Sequence, residues 1–99
     1  DIVMFTLSSE SENELMSACR EFSSLWSKTS AANADIPTVM FGPMEAPVYK
    51  VGGIYRMRAV IKCRMDGKTR GMISGVYSEL SRMLGRKIGL SVDINPNSL

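Results

Sequence analysis

With 99 residues, 44% of them hydrophobic and 22% charged, this chain can build one core but not two, and its composition excludes disordered and low-complexity classes. No apolar run approaches the roughly 18 residues that cross a bilayer, and Asp1 leads straight into Ile2-Val3-Met4-Phe5 without the basic start of a signal peptide. The expectation is one domain over residues 1–99, neither membrane-spanning nor visibly secreted, and, lacking an initiator Met, cut from a longer protein.

The absence of His removes His-based triads, imidazole proton shuttles and His-containing metal sites. Cys19 and Cys63 belong to no CxxC pair, so two buried, reduced thiols of a cytosolic protein are expected rather than a disulfide or a zinc site. The formal charge of +2 hides an asymmetry. Residues 1–49 carry two basic and seven acidic side chains, a balance of −5, whereas residues 50–99 carry ten basic and three acidic, a balance of +7. An anionic partner would meet the second half.

In chain order, residues 2–7 are β-branched or apolar and too few for a helix, which predicts a strand. Ser9 with Glu12 and Ser11 with Glu14 form overlapping capping boxes, and Leu15, Ala18, Cys19, Phe22, Leu25 and Trp26 follow at helical spacing until the Ser-Ala-Ala-Asn-Ala-Asp stretch from residue 30. A second strand is predicted over Thr38–Phe41, ending at a stiff Gly42–Pro47 loop because proline cannot donate to a ladder. A third covers Val48 to Arg64, bent at Gly52-Gly53. Asp66-Gly67 signals a turn. A second helix then starts at Lys68, with Met72, Ile73, Val76, Tyr77, Leu80, Met83 and Leu84 on one face and Gly85 closing it. Residues 87–94 alternate as a last, half-buried strand.

The order βαββαβ with two amphipathic helices predicts an α+β, ferredoxin-like plait. Its four-stranded antiparallel sheet has both helices on one face and the first and third strands in the centre. The expected core includes Phe5, Phe22, Trp26, Phe41, Tyr55, Ile61, Val76, Leu80 and Val92. Alternation sends Tyr55, Met57, Ala59, Ile61 and Cys63 towards the helices and Arg56, Arg58, Val60, Lys62 and Arg64 onto the open face. Lys68 and Arg70 follow at a helix start, where cations oppose the macrodipole and an incoming phosphate or carboxylate would relieve the cost.

Other motifs lead elsewhere or nowhere. Gly67-Lys68-Thr69 looks like the end of a phosphate-binding loop, but the first glycine of that loop falls at position 62, which is a lysine. Base stacking of the ribonucleoprotein kind needs aromatics on the central strands, and the open side of the third strand has none. The eight Met and single Trp read as core filler. An amino-acid-sensing regulatory plait would favour a glycine-rich first turn where Ser8-Ser9-Glu10 stands, and an acylphosphatase-like enzyme would need a basic residue well before Arg20.

Gly42-Pro43-Met44-Glu45-Ala46-Pro47, then Gly53-Ile54-Tyr55-Arg56, then Val92-Asp93-Ile94-Asn95-Pro96 match, in order and spacing, a GP-x-x-AP loop, a G-x-YR strand and a terminal V-D-(V/I)-(D/N)-P strand. The sequence thereby resembles the C-terminal domain of the replication-restart helicase PriA, or primosomal protein N′. The resemblance covers about residues 40–96 and departs from the pattern at Met65–Gly71, where Asp-Gly-Lys-Thr-Arg lengthens the turn. It implies a bacterial, cytoplasmic and nucleoid-associated ATP-dependent DNA helicase that recognises branched or stalled replication forks and helps reload the replicative helicase. ATP, Mg and structural zinc would belong to the parent upstream, with no cofactor in these residues. Branched DNA would meet Arg56, Arg58, Lys62 and Arg64. The acidic tail of single-stranded-DNA-binding protein would meet Lys68 and Arg70. The rival expectation is a purely structural domain whose open face packs on the other domains of the parent helicase.

Overall fold

The computed structural model describes residues 1–97 and contains β1 (Ile2–Ser9), α1 (Glu12–Ala32), β2 (Thr38–Val51), β3 (Ile54–Cys63), α2 (Gly67–Met83) and β4 (Gly89–Ile94). The strands form one antiparallel sheet in the order β2-β3-β1-β4, so the first and third strands are central, as in a ferredoxin-like plait. Neither helix is long and apolar enough to cross a membrane.

Pairing places Val3, Phe5 and Leu7 of β1 beside Ile61, Ala59 and Met57 of β3, and beside Ile94, Val92 and Leu90 of β4. These side chains share the helix-covered face. Leu15, Ala18, Cys19, Phe22 and Trp26 of α1 and Met72, Ile73, Val76 and Leu80 of α2 close over it. The Phe5 and Phe22 rings meet at 5.2 Å, tilted by 53°. Burial pushes the Cys19 thiol pKa up, and also that of half-buried Cys63; both are free.

Both helix starts are capped by the chain itself. Ser11 Oγ accepts from the Glu14 amide at 3.3 Å, Ser9 Oγ accepts from the Ser11 amide at 3.0 Å, and Asp66 Oδ1 accepts from the Thr69 amide at 2.9 Å. Hydrogen bonding from Thr69, its amide above all, holds the Asp66 carboxyl below its ordinary pKa. Asp66 therefore already occupies the place that the sequence reading left for an incoming anion at α2. Asp-Gly-Lys-Thr-Arg is the cap and first turn of that helix more than a lengthened loop.

The structure corrects the sequence reading along β2. The strand does not stop at Gly42-Pro43: it continues to Val51 as an edge strand, absorbing the prolines in register shifts between Phe41 and Met44 and between Glu45 and Lys50. An edge strand tolerates prolines because one side of its backbone has no ladder to lose. Gly52 and Gly53, at φ 57° and 81°, form the tight turn of a hairpin instead of a bend within one strand. Residues 48–51 thus belong to β2, and β3 ends at Cys63, leaving Arg64 just outside it. Phe41 is exposed, while Tyr55 and Val92 are only half-buried.

Candidate nucleic-acid interface

The face of the sheet away from the helices is built in rows across the strands. Lys62 lies between Ile2 and Val39, Val60 between Met4 and Phe41, and Arg58 between Thr6 and Met44, while Arg56 pairs with Ser8. On the β4 side, Asp93 extends the Met4 row and Ser91 the Thr6 row. The strand period of two puts Arg56, Arg58 and Lys62 on one side, at steps of roughly 6.8 Å per pair of residues. Asp93, at the far edge, is the acid in these rows among the described residues.

The three strand cations are not equivalent. Arg56 donates from Nε and Nη2 to the Val48 carbonyl at 3.2 and 2.7 Å, tying the irregular part of β2 to β3. Arg58 and Lys62 make no side-chain hydrogen bond or ion pair among the described residues. Arg64, beyond the strand end, stands near Asp66, whose carboxylate its charge helps to keep ionised. The row therefore offers two fully uncommitted cations, Arg58 and Lys62, with Val60 between them.

Lys68 and Arg70 are not brought together. Two residues apart on a helix, they point about 160° away from each other. Lys68 Nζ reaches Asp35 Oδ2 at 3.4 Å over the cleft between α1 and α2, an exposed pair of little energetic weight. Arg70 instead stands at an apolar groove of about 280 Å³ between α2 and the β4 edge, lined by Met65, Ile73, Tyr77, Val92 and Ile94.

Two features of the face escaped the sequence. One is the apolar margin formed by Val39, Phe41 and Met44, all exposed along β2 beside the cations. It exists because β2 continues past the prolines and lies at the sheet edge, which no local sequence pattern encodes. The other is the clasp at the strand ends. Asn95, at φ 51°, accepts from the Ile2 amide on Oδ1 at 2.8 Å and donates from its own amide to the Ile2 carbonyl at 2.6 Å, while Asp1 Oδ2 accepts from the Met65 amide at 2.8 Å. The Asp-Ile-Asn-Pro signature thus has a structural role in fixing β4 against β1. At the other end, Tyr49 donates to Glu12 Oε2 at 2.7 Å, a bond that pushes the phenol pKa up to about 12. The Tyr49 ring packs 5.3 Å from Tyr55, which carries Lys50 Nζ at 4.9 Å.

A family model described as the primosomal protein N C-terminal domain matches residues 1–97. No curated protein sequence matches the chain. Among solved structures, the chain is similar to a putative amidohydrolase/peptidase from Burkholderia cenocepacia (11% identity, TM-score 0.63, covering 96% of this chain and 27% of that one). It is also similar to a hydantoinase/carbamoylase family amidase from Burkholderia ambifaria (10% identity, TM-score 0.59, 93% and 26%). A third similar structure is the de novo designed protein LFR1 1 with ferredoxin fold (12% identity, TM-score 0.57, 99% and 88%). The chain spans about a quarter of the length of the two Burkholderia proteins. At these identities the likeness is one of fold alone, and it agrees with the ferredoxin-like order read from the strands.

Proposed function

This chain belongs to the primosomal protein N C-terminal domain family, and we propose on that footing that it is the DNA-binding and partner-binding domain of an ATP-dependent replication-restart helicase. The observation that carries the reading is the pair of uncommitted cations, Arg58 and Lys62, on a central strand of the sheet face that no helix covers. Such side chains bind phosphates without reading bases, which suits recognition of a branched or stalled fork by its shape. Arg56, held to Val48, and Arg64, past the strand end, extend the basic line in either direction. Mg-dependent ATP hydrolysis and structural zinc belong, in this reading, to upstream parts of the parent helicase, acting in the cytoplasm at the nucleoid.

The same proposal gives Arg70, with the apolar groove beside it, the acidic tail of single-stranded-DNA-binding protein: the guanidinium suits carboxylates and the groove an apolar side chain. Lys68 lies on the other side of α2 and would contribute only long-range charge.

The test is binding of forked DNA over a salt series. Removing two phosphate contacts with Arg58→Ala and Lys62→Ala should weaken binding and make the slope of log affinity against log salt shallower by about 1.4 to 1.8. Arg70→Ala should weaken a titrated acidic tail peptide more than Lys68→Ala does. A second reading, that the open face packs on the parent helicase, is favoured by the exposed apolar margin of β2. It is correct if the double variant binds DNA with unchanged affinity and salt slope.

A further inference from the structure

The row Asp93, Met4, Val60, Phe41 crosses the open face between the rows that carry Lys62 and Arg58. Met4 is only 6% exposed although no helix covers it, whereas Phe41 at the β2 end of the row is 47% exposed. An aromatic ring left in water at a sheet edge, flanked along its own strand by exposed Val39 and Met44, is apolar area that the fold itself does not use. Its cross-strand neighbour Val60 stands between the two uncommitted cations, about 5 Å from it in Cβ separation. The ring therefore lies beside, not on, the line of positive charge.

We propose that Phe41 is a stacking platform for an unpaired base, so that this face takes single-stranded nucleic acid in preference to duplex; the inference rests on the phosphate-binding reading given above. Arg58 and Lys62 are four residues apart on β3, about 13 to 14 Å, roughly two phosphate steps of an extended strand. Phosphates seated on these two residues leave one nucleotide between them, level with Val60 and Phe41. Asp93 at the opposite end of that row repels a backbone placed over β1 and β4, which holds the phosphates to the β3 line and turns the bases towards β2. A base in a duplex has both faces stacked and cannot lie on the ring, whereas an unpaired base offers a free π-face to any exposed aromatic. The nearby guanidinium of Arg58 adds cation–π attraction to a base in this position.

The experiment titrates the 99-residue chain with a labelled oligothymidylate and with the same oligonucleotide annealed to its complement. Phe41→Ala should weaken single-strand binding roughly 5- to 100-fold, the range expected for one lost stacking contact. The salt slope should not move, because no phosphate contact is removed. Phe41→Leu should bind as poorly as Phe41→Ala, while Phe41→Trp should restore affinity and show emission quenched by the oligonucleotide above the constant signal of buried Trp26. Duplex binding should be the same in all four proteins. Full affinity in Phe41→Leu would mean that the margin is only apolar packing surface, and an equal loss on duplex would mean that the ring is not reading unpaired bases; either result overturns the proposal. If Arg58→Ala with Lys62→Ala loses DNA but Phe41→Ala does not, stacking fails and the phosphate-binding reading stands. If the double variant also retains DNA, both fail.

Discussion

Gly42→Ala is expected to be among the most damaging single-methyl additions to this protein. Gly42 sits at φ +96°, and a Cβ built there would lie 2.7 Å from the Arg58 carbonyl oxygen and 2.9 Å from the Met44 amide nitrogen. Both neighbours are backbone, so no side chain can swing away, and β2 itself must move off β3. The positive φ alone costs about 1 to 2 kcal/mol for an L-residue. Forcing a methyl into occupied space adds about 1 to 3 kcal/mol. The molecule contains its own control, since Gly52 also has a positive φ, +57°, but a Cβ there meets nothing within 4 Å. Gly52→Ala should therefore show only the conformational part. In urea unfolding both variants should keep the m-value, with the midpoint of Gly42→Ala lowered two- to threefold further than that of Gly52→Ala. In thermal unfolding Gly42→Ala should lose at least about 10 °C. Equal shifts in the two variants would refute the argument that the β2 irregularity is held by close approach of Gly42 to Arg58. A larger shift should also disturb the open face, because Phe41 and Arg58 are the residues flanking the displaced contact.

Other substitutions test local claims. Gly75→Ala should stabilise the protein by about 0.5 to 1 kcal/mol in the same urea assay, because Gly75 is inside α2 with open space where a methyl would go; a loss would mean the helices approach more closely there than they do in this structure. Asp66→Asn keeps the helix cap but removes its titration. Since the folded carboxyl is held below its ordinary value, the stability that ionised Asp66 contributes is fully present above about pH 4 and lost as pH falls through the lower folded value. The stability difference between the two proteins should accordingly shrink on acidification, and a difference independent of pH would show that the carboxylate charge contributes nothing.

The sequence determined the elements whose signals are local. The Ser11 cap, the apolar stripe from Leu15 to Trp26, the face from Met72 to Leu80 and the alternation from Tyr55 to Cys63 each follow from one periodicity, and each stands where that periodicity predicts. Their order was enough for the plait and its two central strands, and alternation alone placed Arg56, Arg58 and Lys62 away from the helices. What tertiary structure decided depends on neighbours distant in the chain. A proline breaks a strand only if its amide is needed, and whether it is needed depends on β2 having one neighbour or two, which no local pattern encodes. From that single fact follow the long hairpin, the turn at Gly52-Gly53 and the exposure of Phe41, whose hydrophobicity alone pointed to the core. Arg56 and Arg58 look alike in sequence, but only the first finds a carbonyl, at Val48, because the β2 bulge brings it there. Lys68 and Arg70 look like one cluster, yet the helix turn sends them into different clefts, so charge adjacent along the chain is divided in space.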